Sequence, residues 1–135
     1  MPATSRRLFL LVMALVETAT GLGLLILPAV LFASLLGLEQ ATVDTIFVGR
    51  LAGAALLAIG VASWMARNDT LTAAQLGLLT GLLIYNAAAS VLLAFAGTVL
   101  KMSGVMLWPA VALHAALTVW CLSCLRTVDR RALSG

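Results

Sequence analysis

Four long apolar stretches, separated by three short polar intervals, divide the chain: Leu8–Leu36, Ile46–Ala66, Ala73–Gly97 and Gly104–Leu125. A bilayer core about 30 Å thick takes about 20 apolar residues in helical form, because backbone groups left unpaired in hydrocarbon are too costly. Each stretch meets that length, so the pattern predicts four transmembrane α-helices. The intervals near 37–45, 67–72 and 98–103 are short, which favours sequential antiparallel neighbours. The expected architecture is an all-α, four-helix up-down bundle forming a single domain over residues 1–135.

Local irregularities modify this picture. The first stretch is longer than one crossing requires and contains Pro28, which removes a backbone hydrogen bond and predicts a kink near Leu24–Leu27. Beyond it, Ala29–Leu36 either tilts or lies along the outer interface. Pro109 either occupies a first helical turn that begins late or bends the fourth helix. Arg6 and Arg7 before an apolar run imitate a signal peptide, but the run continues past Glu17 without a persuasive cleavage site and reads as a retained helix. Gly49-x3-Gly53 and Gly77-x3-Gly81 are the obvious close-approach pairs, since small residues let helix backbones meet in lipid. In a chain with 11 glycines such spacings also arise by chance.

Composition agrees with a membrane solvent. Hydrophobic residues make up 63% and charged residues 10%, against about 45–50% and about 25% in soluble domains. The formal charge of +3 does not point to nucleic acid, because the basic residues form no stripe with interleaved aromatics. They encode topology instead. Arg6, Arg7, Arg67, Arg126, Arg130 and Arg131 fall on one side and Lys101 on the other, with Glu39 and Asp44. The positive-inside rule then places both termini in the cytoplasm and the chain in the cell (inner) membrane.

Ionisable groups within spans cost about 2.5–3.5 kcal/mol each on insertion scales, so each needs a partner or a purpose. Glu17 lies in the first stretch, Arg50 in the second and His114 in the fourth; the third supplies Tyr85 and Asn86. Counting along each helix from the cytoplasmic edge places Glu17 at about 14 Å and His114 at about 15 Å, with Asn86 at about 20 Å and Arg50 at about 22 Å. The shared layer predicts a Glu17–Arg50 ion pair, with Tyr85, Asn86 and His114 satisfying the remaining donors and acceptors. Such a cluster either fixes helix register alone or lines a ligand pocket or proton pathway.

Other residues carry less. His114 is the sole histidine, which excludes intramolecular bis-histidine haem and leaves only a haem shared across a dimer. Cys121 and Cys124 share a helical face at a spacing suited to a redox pair, but their place near the cytoplasmic end favours packing. Trp108 and Trp64 read as interfacial anchors, whereas Trp120 lies deeper. No phosphate loop, nucleophile elbow or metal-binding motif is present.

Glu17, Gly21-Leu-Gly23-Leu-Leu, Pro28 and Gly49-Arg50-Leu-Ala-Gly53 together resemble the DoxX-like group of small four-helix membrane proteins. That resemblance implies a four-span fold and a membrane-subunit role, as in proteins associated with quinone-linked oxidoreductases. Glu17 alone is similar to the midway glutamate of small multidrug exporters, although Arg50 at nearby depth would compete for that carboxylate. Cys121 and Cys124 resemble the membrane C-x-x-C of quinone-dependent thiol oxidases, which need further cysteines that are missing here. The leading expectation is a non-enzymatic accessory subunit, or a binder of a lipid-like molecule such as a quinone, within a membrane complex or homo-oligomer. The alternatives are a proton-coupled small-molecule transporter using Glu17 and a membrane thiol oxidoreductase using Cys121 and Cys124.

Overall fold

A computed structural model of the chain describes residues 3–70 and 72–132, with side chains between residues 4 and 126. Arg130 and Arg131, counted above for topology, have side chains outside this described set. Among the described residues the fold is all-helical: α1 (Ala3–Ile26), α2 (Pro28–Leu36), α3 (Val43–Ala66), α4 (Ala73–Thr98) and α5 (Leu107–Ala132). The four long helices are each long and apolar enough to cross a membrane.

The first apolar stretch is two helices rather than one kinked helix. Leu27 leaves helical geometry at φ −129° and ψ 52°, and Pro28 opens α2. Its missing N–H is harmless in that first turn, where no intrahelical acceptor exists. The break turns α2 aside to pack on α3 and on the α4–α5 connection: Phe32 lies against Gly49, and the Ser34 carbonyl accepts from Met106 N–H at 2.8 Å. Gly37 ends α2 in a left-handed conformation at φ 73°, with its N–H bonded to the Ala33 carbonyl at 2.9 Å. Pro109 falls in the first turn of α5, which starts at Leu107. The late-start reading of that proline is therefore the one observed.

α1 and α3 meet backbone to backbone. A Cβ on Gly21 would lie 2.7 Å from the Gly53 carbonyl oxygen, and one on Gly53 would lie 2.7 Å from that of Gly21. Further along, Gly60 abuts Thr18 and Ala14. Contacts advancing along one helix while receding along the other show that the two run in opposite directions. Gly49-x3-Gly53 is thus a packed pair, whereas a Cβ on Gly77 or Gly81 would meet nothing within 4 Å.

The opposite face of α1 meets α4 and α5 through large side chains. Phe9, Leu10 and Met13 join Leu79, Leu82, Leu117, Cys121 and Cys124 in the buried core. The spacings 9/10/13, 79/82/86 and 117/121/124 each lie on one helical face. Trp120 packs edge-on to Phe9 at 5.7 Å and donates from its indole nitrogen to Ser5 Oγ at 3.1 Å, tying the end of α5 to the start of α1. At the same end, Thr72 caps α4 by accepting from Gln75 N–H at 3.2 Å, and Gln75 Nε2 donates to the Ala66 carbonyl at 2.8 Å.

Candidate functional site

The face of α1 that supplies Phe9, Leu10 and Met13 continues one turn on to Glu17, which is 1% exposed. Tyr85 and Asn86 are adjacent on α4 and therefore point about 100° apart, which lets one reach α1 while the other reaches α5. Tyr85 Oη donates to Glu17 Oε2 at 3.0 Å. Asn86, fully buried, has Oδ1 2.9 Å from His114 Nδ1. Its Nδ2 donates to the Leu82 carbonyl at 2.8 Å and lies 3.6 Å from Met13 Sδ. The Tyr85 and His114 rings close the circuit edge to face, with centroids 5.6 Å apart and an interplanar angle of 87°.

These contacts fix the histidine tautomer. With Asn86 Nδ2 committed to a carbonyl, Oδ1 is the atom facing the ring, so Nδ1 must carry the hydrogen and donate. The Nε2 lone pair is left as an acceptor in the neutral ring, and no described residue bonds to it. Glu17 is similarly incomplete: Oε1 is buried and has no hydrogen-bond partner among the described residues.

Of the five residues expected in one layer, α1, α4 and α5 bring together Glu17, Tyr85, Asn86 and His114. Arg50 does not join them. It lies on the exposed face of α3, one turn from Gly53, and neither Glu17 oxygen bonds to it. The reason is rotational: Gly53 faces the α1 backbone and Gly49 faces Phe32 of α2, and Arg50, about 100° round from Gly49, is carried outward. Its long side chain can snorkel toward the nearer interface.

Sequence reasoning overlooked two buried polar residues, Ser63 and Gln75. Ser63 extends the packed glycine series 49, 53 and 60 at helical spacing, a signal that would have placed it on the α1-facing side. Thr72-x-x-Gln75 has the form of a capping box, although the glutamine side chain reaches back to α3 rather than to the cap. Cys121 and Cys124 are free, buried thiols, and Cys121 Sγ donates to the Leu79 carbonyl at 3.3 Å. Among the described residues no three metal-ligating side chains gather. Comparison of the chain with protein-family models, with curated proteins and with solved structures finds no match.

Proposed function

We propose that the chain is a small multi-pass protein of the cell (inner) membrane that binds a lipid-soluble ring molecule at the Glu17–Tyr85–His114 centre, alone or as an accessory subunit. In this reading the helices form an up-down bundle with both termini cytoplasmic, as the arginine distribution favours. The resemblance to DoxX-like proteins points to the same subunit role.

The observation that carries the binding reading is Glu17 Oε1, a buried oxygen with no protein partner. Buried polar atoms in native structures are almost always satisfied, so an orphan in an apolar interior calls for an additional group. The open atoms also favour one kind of group. Tyr85, Asn86 and the Nδ1 side of His114 are engaged with one another, leaving an imidazole lone pair and Glu17 Oε1, which is an acceptor when the carboxyl is ionised. The complementary ligand presents hydroxyls, which favours a quinol over the oxidised quinone. Purified protein should carry such a molecule into organic extracts analysed by mass spectrometry. It should also bind a short-chain benzoquinol at least tenfold tighter than the matching quinone, with His114→Ala removing the preference. An empty extract, together with a His114→Ala effect on stability alone, would eliminate this function.

One observation favours proton-coupled transport as a second reading: Arg50 points away, so no arginine competes for the Glu17 carboxylate. Glu17→Gln should then abolish proton-driven uptake or efflux in proteoliposomes. Unchanged flux would discard it.

A further inference from the structure

A second site lies at the end of the bundle where α1 begins and α3 ends, away from the polar centre. Arg6, Arg7, Arg67, Thr4, Asn68 and Asp69 line a polar recess of about 270 Å³. Three arginines and a single carboxylate line it, and among the described residues none of the three arginines forms an ion pair. The recess opens on the first turn of α1, the positive end of that helix's dipole.

Next to it, on the outer surface between α1 and α3, runs an apolar groove of about 460 Å³ whose lining includes Ala14, Thr18, Ala19, Leu22, Gly60 and Trp64. The residues that line the two depressions lie in line along both helices. On α1, Arg7, Leu11, Ala14, Thr18 and Leu22 follow one another at steps of three or four residues, a single helical stripe. On α3, Gly60, Trp64 and Arg67 do the same. A residue of the recess touches a residue of the groove: the Arg67 guanidinium lies 3.6 Å from the Trp64 ring centroid and donates to the Trp64 carbonyl. The groove exists because Gly60 lets α3 sink onto Thr18 and Ala14.

We infer that this is a binding site for an anionic phospholipid, with the headgroup phosphate among Arg6, Arg7 and Arg67 and one acyl chain along the α1–α3 groove. Charge selects the occupant. Any lipid tail can enter an apolar groove, but the adjoining excess of arginine matches phosphate through paired N–H donors and disfavours a zwitterionic head. An apolar transmembrane helix of a partner protein would fill the groove but bring no anion to the arginines.

The test uses the full chain in detergent with equal amounts of phosphatidylglycerol and phosphatidylcholine of the same chain length, counting retained lipid by native mass spectrometry. The wild type should keep phosphatidylglycerol at least tenfold over phosphatidylcholine. Combined Arg6→Gln, Arg7→Gln and Arg67→Gln should bring the ratio below twofold, while Arg67→Lys alone, which keeps the charge but loses the paired donors, should fall between that variant and the wild type. Ala19→Trp, which fills the groove from its exposed side, should lower phosphatidylglycerol retention several-fold with helix content unchanged by circular dichroism. Equal retention of the two lipids, displacement of phosphatidylglycerol by millimolar inorganic phosphate, or an Ala19→Trp variant that binds like wild type would each overturn the assignment.

Discussion

The two faces of α1 solve the same problem in different ways. Toward α3 it presents Gly21, Ala14 and Thr18 against Gly53, Leu57 and Gly60, and the backbones touch. Toward α4 and α5 it presents Phe9, Leu10, Met13 and Glu17, which keep the helices further apart and fill the space with large side chains and a polar circuit. In lipid, apolar side chains gain little by leaving one hydrocarbon environment for another, so association must come from close van der Waals contact or from hydrogen bonds. The α3 side uses the first and the α4–α5 side adds the second. Close contact leaves no room for chemistry; the wider interface does, and the candidate site lies there.

The largest effect should follow from disturbing the tight side. Gly53→Leu would drive a side chain into the Gly21 carbonyl and the Leu25 backbone nitrogen, 2.7 and 3.0 Å from the new Cβ, and backbone cannot step aside as a flexible side chain can. A loss of about 3 kcal/mol is expected, read by unfolding in mixed micelles. Gly81→Leu is the control that gives this meaning. With nothing near its Cβ, stability should hold within about 0.5 kcal/mol or rise, since glycine weakens a helix interior by about that much. Equal damage at both positions would end the distinction between the faces.

The wide side should respond less in stability and more in chemistry. Asn86→Leu removes the acceptor for His114 Nδ1 and the donor to the Leu82 carbonyl, a loss of about 1–2 kcal/mol. The sharper readout is nitrogen NMR of the imidazole. In the wild type the hydrogen should reside on Nδ1, and in the variant it should distribute over both nitrogens. A wild-type ring protonated on Nε2 would reverse the assignment of open acceptors.

The four apolar helices were legible in the sequence because length and hydropathy suffice to predict a crossing, and Gly49-x3-Gly53 was legible as a packing pair. Two things were not. The division of the first stretch at Leu27 depends on where α2 finds a surface, Gly49 and the α4–α5 connection, which no local pattern encodes. The rotation of each helix is the second: depth counting put Glu17, Tyr85, Asn86, Arg50 and His114 in one layer, but depth is only one coordinate, and a polar group at the right height can face any direction. Gly77 and Gly81 make the same point, since their spacing repeats that of the packed pair on a face that meets nothing among the described residues.

Arg50 should give the smallest effect, and that is what makes it informative. It lies about two turns into α3, exposed, and off the edge through which that helix meets α1. Loss of one partner from a buried ion pair costs about 3–5 kcal/mol; an outward arginine reaching the interface should cost no more than about 0.5 kcal/mol when replaced by glutamine. A double-mutant cycle of Arg50→Gln with Glu17→Gln should therefore show additive changes, because residues without shared partners do not couple. Coupling beyond about 1 kcal/mol would mean that the arginine reaches the carboxylate in the membrane. That outcome would require α3 to rotate, which would in turn pull Gly53 off Gly21, so additivity in this cycle tests the tight interface and the composition of the polar centre together.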